Sequence, residues 1–207
     1  MALEKIISIQ NASIALWTNS ETGEELKRIL GDNSLIAKIE GKYNNPKRQR
    51  EQLISHILVK ELLEETKEIM HLPNGAPHIE GYDKYISISH SKKTIAVAIS
   101  NKPIGIDIED IERNQYKLHK KFTTPKEQEW INNNPELSQK QLISAVIWST
   151  KEAIYKLANI EGLLFENEIE ITPFNIAKES SFVATYRNTP CKCNFLVFGE
   201  ELLVFSC

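Results

Sequence analysis

The chain is poor in the residues that staple or ligate a fold. It has 207 residues and only three cysteines, two of them in Cys191-Lys192-Cys193. The cysteines are read as reduced packing residues without a mutual disulfide, which points to a reducing, cytoplasmic setting. No Gly-x-x-x-x-Gly-Lys-Ser/Thr loop and no Gly-x-Gly-x-x-Gly run occurs, so an ATPase or dinucleotide enzyme would lack its phosphate cradle. His-Glu-x-x-His and paired Cys-x-x-Cys are absent as well, which argues against zinc. Five scattered histidines and three cysteines offer no nucleophile triad. Charge of one sign is also lacking: 25 Lys+Arg stand against 28 Asp+Glu. That balance speaks against nucleic acid, whose phosphates are gripped by a cationic excess. No apolar run is long enough to span a bilayer, and the opening MALEKIISIQ, with Glu4 and a short apolar run, does not read as a secretory signal. The expectation is a protein with no membrane partner.

What is present is ordinary globular material, 41% hydrophobic and 26% charged, able to hide roughly 70% of its unfolded surface without a metal or disulfide. Strands are expected at Ile6–Ile9 and Ser13–Trp17 across Gln10-Asn11-Ala12. A helix over Glu21–Leu30 should stop at Gly31, and a stronger one should run from Pro46 to about Lys67. The segment His71–Gly81, with Pro73, Gly75, Pro77 and Gly81, reads as loop. Strands follow at Tyr85–Ser89, Thr94–Ser100 and Ile104–Glu109, then short helices near Tyr116–Lys121 and Pro125–Asn132. A long helix is expected from Ser138 to about Ile160, with Ser138 and Gln141 as a capping box. Four strands close the chain: Phe165–Ile171, Ser181–Tyr186, Lys192–Phe198 and Leu202–Phe205. This order lacks regular βαβ alternation and gives an α+β class, in two halves at 1–103 and 104–207.

Three local patterns could carry chemistry. In Ile104-Gly105-Ile106-Asp107-Ile108-Glu109, strand alternation sends the isoleucines one way and both carboxylates the other. Two carboxylates so placed can reach one hard cation such as Mg²⁺, although a solvated acidic face has the same pattern. In Trp148-Ser-Thr-Lys151-Glu152-Ala-Ile-Tyr-Lys156, positions four apart put Trp148, Glu152 and Lys156 on one line. An exposed Glu-Lys pair would look the same but for the tryptophan, a residue that is usually mostly buried. Ser89-His90-Ser91 at a hairpin turn and Pro46-Lys47-Arg48-Gln49-Arg50 at a helix start could each hold phosphate oxygens, or simply face water.

Taken in order, Pro73-x-Gly-x-Pro77, Ser89-His90-Ser91, Gly105-Ile-Asp107-Ile-Glu109, Phe122-x-x-Pro-x-Glu127 and Trp148-Ser-x-Lys151-Glu152-Ala-x-x-Lys156 closely resemble the 4′-phosphopantetheinyl transferase superfamily, Sfp-type by length. The resemblance covers about residues 70–160. It implies two similar α/β halves related by a pseudo-twofold, with the active site between them. The implied reaction moves the phosphopantetheine arm of coenzyme A to a serine of an apo acyl or peptidyl carrier protein, as a holo-[acyl-carrier-protein] synthase does in fatty acid or secondary metabolism. Adenosine 3′,5′-bisphosphate is the other product, and the enzyme is expected to work as a monomer.

By the same resemblance Asp107, Glu109 and Glu152 would bind Mg²⁺, with Mn²⁺ as the alternative. Lys156 and Lys151 would serve the phosphates, and His90 with Ser89 the nucleotide phosphates. Arg48, with Arg50 competing, would stand near the 3′-phosphate. Glu152 is the expected base, with Glu127 in reserve. Tyr116–Phe122 would meet the carrier. Two positions depart from the family pattern: Ala76, where a lysine is frequent, and His56, where arginine is. They leave room for a module that binds coenzyme A without turnover. A Mg²⁺-dependent phosphodiesterase on the same carboxylates is a third reading.

Overall fold

The computed structural model describes residues 3–9, 11–18, 20–113, 115–160 and 162–207, with Leu3 and Glu4 by backbone alone. Gln10, expected in the first turn, lies outside the described residues. The chain divides into two compact units, Met1–Lys102 and Pro103–Cys207.

In the first unit, β1 (Leu3–Ile9) pairs antiparallel with β2 (Ala12–Thr18). Three helices follow: α1 (Gly23–Leu30), α2 (Asn33–Lys42) and α3 (Pro46–Leu63). After β3 (Ile69–His71) and β4 (Pro77–Ile79), β5 (Tyr85–His90) and β6 (Thr94–Ser100) complete a four-stranded sheet in the order β1-β2-β6-β5. One sheet face, with Ala15, Trp17, Ile95, Val97 and Ile99, packs against Leu26 and Leu30 of α1 and Leu53, Ile54 and Ile57 of α3. The expected loop 71–81 thus contains part of a short β3–β4 ladder. Helix α3 ends four residues before Lys67, where Glu64 turns into the left-handed region (φ 57°). Helix α2 was not expected; Asp32 starts it by accepting the Leu35 N–H at 2.9 Å.

The second unit opens with β7 (Gly105–Asp110), then α4 (Gln115–Leu118), a 3-10 turn at His119–Lys121, α5 (Pro125–Asn132) and the long α6 (Leu137–Ala158). A short α7 (Phe165–Glu168) precedes β8 (Ile169–Ile171), β9 (Ser181–Tyr186), β10 (Thr189–Phe198) and β11 (Glu201–Ser206). These strands form an antiparallel sheet in the order β7-β11-β10-β9-β8. Helix α6 covers it, with Val146, Ile147 and Ile154 against Leu202, Val204 and Phe195. Phe165–Glu168 is helical where a strand was expected. The capping box expected at Ser138 does not form: α6 begins one residue earlier, with Glu136 at the cap and no side-chain capping bond. Cys191 and Cys193 are free thiols two residues apart on β10. Among the described residues no helix is long and apolar enough to cross a membrane.

Candidate active site

The close approach of β7 and α6 is set by Gly105. A Cβ there would overlap the Ala153 carbonyl and stand 2.8 Å from the Leu157 nitrogen. With no side chain in the way, the acidic residues of β7 come within reach of the Trp148-Glu152-Lys156 line. At one end Trp148 Nε1 donates to Glu109 Oε1 at 3.1 Å. At the other, Lys156 Nζ donates to Asp107 Oδ1 and to the Ile106 carbonyl, each at 2.9 Å. Glu152 lies between these positions on the helix, and the charges of Asp107 and Glu109 both reach it. Burial, and after it the charge of Asp107, push the carboxyls of Glu109 and Glu152 above the ordinary glutamate range. Arg113, which was not singled out from the sequence, grips both oxygens of Glu109 at 2.9 and 3.1 Å. Its position four residues after Glu109 was the signal.

Asp107, Glu109 and Glu152 supply the oxygen donors that a hard divalent cation takes. A cation would also reverse the mutual repulsion that raises Glu109 and Glu152. In this structure Lys156 and Arg113 answer that charge instead, and among the described residues no three His, Cys, Asp or Glu side chains stand arranged to hold a metal. The donor chemistry fits Mg²⁺; Asp107 Oδ1 and both oxygens of Glu109 are engaged by cationic side chains.

Beside these acidic residues lies a cavity of about 610 Å³ whose lining includes Trp148, Phe122 and Phe165, with Arg113, Gln115, Lys121 and Glu166 as polar members. Lys151 and Glu127 stand behind the row and take no part in it. Both are fully buried, and Lys151 Nζ donates to Glu127 Oε2 and the Phe122 carbonyl at 2.8 Å and to the Phe165 carbonyl at 3.0 Å. Glu127 also accepts the Thr124 and Ile171 N–H groups, each at 2.8 Å. A phosphate contact by Lys151 and a reserve base at Glu127 are therefore corrected. Neither side chain reaches solvent, because each spends its bonding capacity on the other and on backbone.

In the first unit, the start of α3 faces β5 across a cleft of about 160 Å³ whose lining includes Arg48, Glu51, His71, Gly75, Pro77 and His90. Glu51, which sequence reasoning passed over although it follows Lys47 and Arg48 at helical spacing, is the centre of a charge cluster. Arg48 reaches its Oε2 at 2.9 Å, while His90 Nε2 and Lys47 Nζ stand 3.8 and 3.9 Å from its Oε1. Of the two competing arginines, Arg48 lines this cleft; Arg50 is not among its walls. Ser89 is buried and alternates to the face of β5 opposite His90, so the strand separates the two expected phosphate contacts. His56 is internal: its Nδ1–H donates to the Gln52 carbonyl at 2.8 Å, and its Nε2 accepts the Ile69 N–H at 3.1 Å.

Residues 103–197 match the model of the 4′-phosphopantetheinyl transferase superfamily. A 4′-phosphopantetheinyl transferase of Aneurinibacillus migulanus is 29% identical over 156 residues, covering 70% of this chain and 62% of the relative. Another, of Bacillus subtilis, is 34% identical over 85 residues, covering 41% of this chain and 38% of the relative. The aligned parts thus span less than two thirds of either relative's length. The matched region holds β7, α5 and α6, with Gly105, Asp107, Glu109, Trp148, Glu152 and Lys156 in the arrangement described above. Over residues 103–197 the chain is therefore similar to the 4′-phosphopantetheinyl transferase superfamily.

Proposed function

We propose that the protein transfers the 4′-phosphopantetheine arm of coenzyme A to a serine hydroxyl of an apo acyl or peptidyl carrier protein, releasing adenosine 3′,5′-bisphosphate. The observation that carries this reading is the Trp148-Glu152-Lys156 line laid along Asp107 and Glu109 inside the family-matched region. The reading includes the resemblance's two similar halves; each unit on its own pairs a long helix with an antiparallel sheet.

Phosphoryl transfer asks a protein for positioning and charge neutralisation more than covalent work. Asp107, Glu109 and Glu152 would hold Mg²⁺, which when bound offsets negative charge on the pyrophosphate and on the departing bisphosphate. Lys156 contributes a fixed positive charge aimed at the same oxygens. The serine oxygen bonds to the β-phosphorus as the bond from that phosphorus to the bisphosphate oxygen breaks, and the hydroxyl proton passes to Glu152 through a water. A carboxylate that holds a cation is a poor base on its own, which favours the route through the water. Arg48 and His90 are the candidates for the nucleotide phosphates; the charge of Glu51 competes with such an anion for them.

Incubation with Mg²⁺, coenzyme A and an apo carrier protein should add the mass of one phosphopantetheine arm to the carrier. Asp107→Ala or Glu152→Gln should abolish that gain with the far-ultraviolet circular dichroism unchanged. Normal transfer by both variants, or coenzyme A binding without transfer across a panel of carriers, overturns the reading.

A further inference from the structure

The buried Lys151–Glu127 pair gathers hydrogen bonds that the proposed chemistry does not use. Replacing such a pair with apolar residues of similar volume is frequently neutral for stability, so stability alone does not account for its place here. Its partners give a better account. Lys151 takes the carbonyls of Phe122 and Phe165, two residues 43 positions apart whose rings both pack against one indole. Phe122 meets Trp148 edge-on with ring centroids 5.1 Å apart, and Phe165 meets it likewise at 5.8 Å. The indole so held donates Nε1–H to Glu109. Glu127 anchors the far side, through the first turn of α5 and the Ile171 N–H of β8.

We propose that Lys151 and Glu127 are positioning residues: they clamp the two aromatic walls about Trp148 and thereby fix where Glu109 stands, and through it the acidic row. This proposal rests on the reading of the acidic row as the reacting centre, but its geometric half stands apart from any activity. Local spacing places Lys151 next to Glu152, yet the lysine points away from the row. Its effect on the chemistry runs through Phe122, Phe165 and Trp148, with no contact of its own to substrate.

The test follows the Trp148 indole N–H by ¹⁵N nuclear magnetic resonance, its signal identified among the chain's three tryptophans by its loss in Trp148→Phe. The Lys151→Met/Glu127→Met double variant removes both charges together, so that neither is left buried alone. In the folded double variant the Trp148 signal should move and its exchange with solvent quicken by about tenfold or more. The kcat for carrier loading should fall by about tenfold or more, with KM for coenzyme A within about twofold, as expected when reacting groups are misplaced while substrate binding is kept. Should the double variant not fold, Phe122→Leu leaves the ion pair in place, trims one wall and should move the same signal and kcat in the same direction. An unmoved Trp148 signal overturns the proposal whatever the activity does, and a moved signal with full kcat overturns it as well. If the unaltered protein shows no transfer at all, the proposed function fails, and the Trp148 signal still decides whether the pair positions the indole.

Discussion

At Gly105 the missing side chain decides the site. The obstacle to a Cβ is backbone, the Ala153 carbonyl and the Leu157 nitrogen, so no rotamer change relieves it. Gly105→Ala must push β7 away from α6 and lengthen the Lys156–Asp107 and Trp148–Glu109 bonds together. Overpacking of this kind costs about 1–3 kcal/mol, and the same displacement should remove most of the proposed transfer activity. Gly41 supplies the contrast. It sits in α2 with open space around its missing Cβ, so Gly41→Ala should stabilise by about 0.5–1 kcal/mol, the ordinary gain of alanine over glycine in a helix. Denaturant unfolding of the two variants checks both signs, and equal shifts would refute the close-approach account.

Helix starts show how much of the fold local pattern can carry. Thr124 accepts the Glu127 N–H at 3.2 Å while Glu127 accepts the Thr124 N–H at 2.8 Å, a reciprocal box of the form Thr-x-x-Glu. Thr124→Val keeps the shape, removes one of these bonds, and should cost about 1 kcal/mol of unfolding free energy. Ser138→Ala, at the box the sequence predicts for α6, should change stability by less than about 0.5 kcal/mol, because Ser138 already lies inside the first turn. The same pattern therefore predicts a cap that forms at Thr124 and one that does not at Ser138; only the true start of the helix distinguishes them. Strands β2, β5, β6 and β7 were legible because apolar residues alternate with polar ones or run together over a few adjacent positions. Helix α2 was not, its apolar positions Leu35, Ile36 and Ile39 being too few to show a stripe. The acidic row was legible for a similar reason: Asp107 and Glu109 are two apart, and Trp148, Glu152 and Lys156 are four apart. The use made of Lys151 was not, since its partners lie 14, 24 and 29 residues away and no local period reaches that far.

At the scale of the whole molecule, His56 gives stability a pH dependence whose sign can be worked out. Its Nε2 accepts the Ile69 N–H, tying α3 to β3, and that lone pair must stay unprotonated for the bond to persist. Burial is the main force holding its pKa below the ordinary 6.5. A histidine depressed in the folded state contributes its full stabilisation above the unfolded pKa. The contribution is lost as pH falls through about 6.5 toward the folded value, because protons then bind the unfolded chain preferentially. Glu109 and Glu152 act oppositely: their folded pKa values are raised, so acidification through those values favours the folded form. His71 shares the direction of His56, lowered chiefly by burial. The total profile therefore mixes signs, and the His56 part is isolated by difference. His56→Gln retains a donor and an acceptor but cannot titrate. Between pH 6.5 and 5, the unfolding free energy of the unaltered protein should decline relative to His56→Gln, at up to about 1.4 kcal/mol per pH unit, the limit set by one proton. His71→Gln, measured alongside, should change the slope less, since His71 is the more exposed ring. Parallel profiles for the unaltered protein and His56→Gln across that window would show that the α3–β3 tie survives protonation, and His56 could then not be a source of the acid sensitivity.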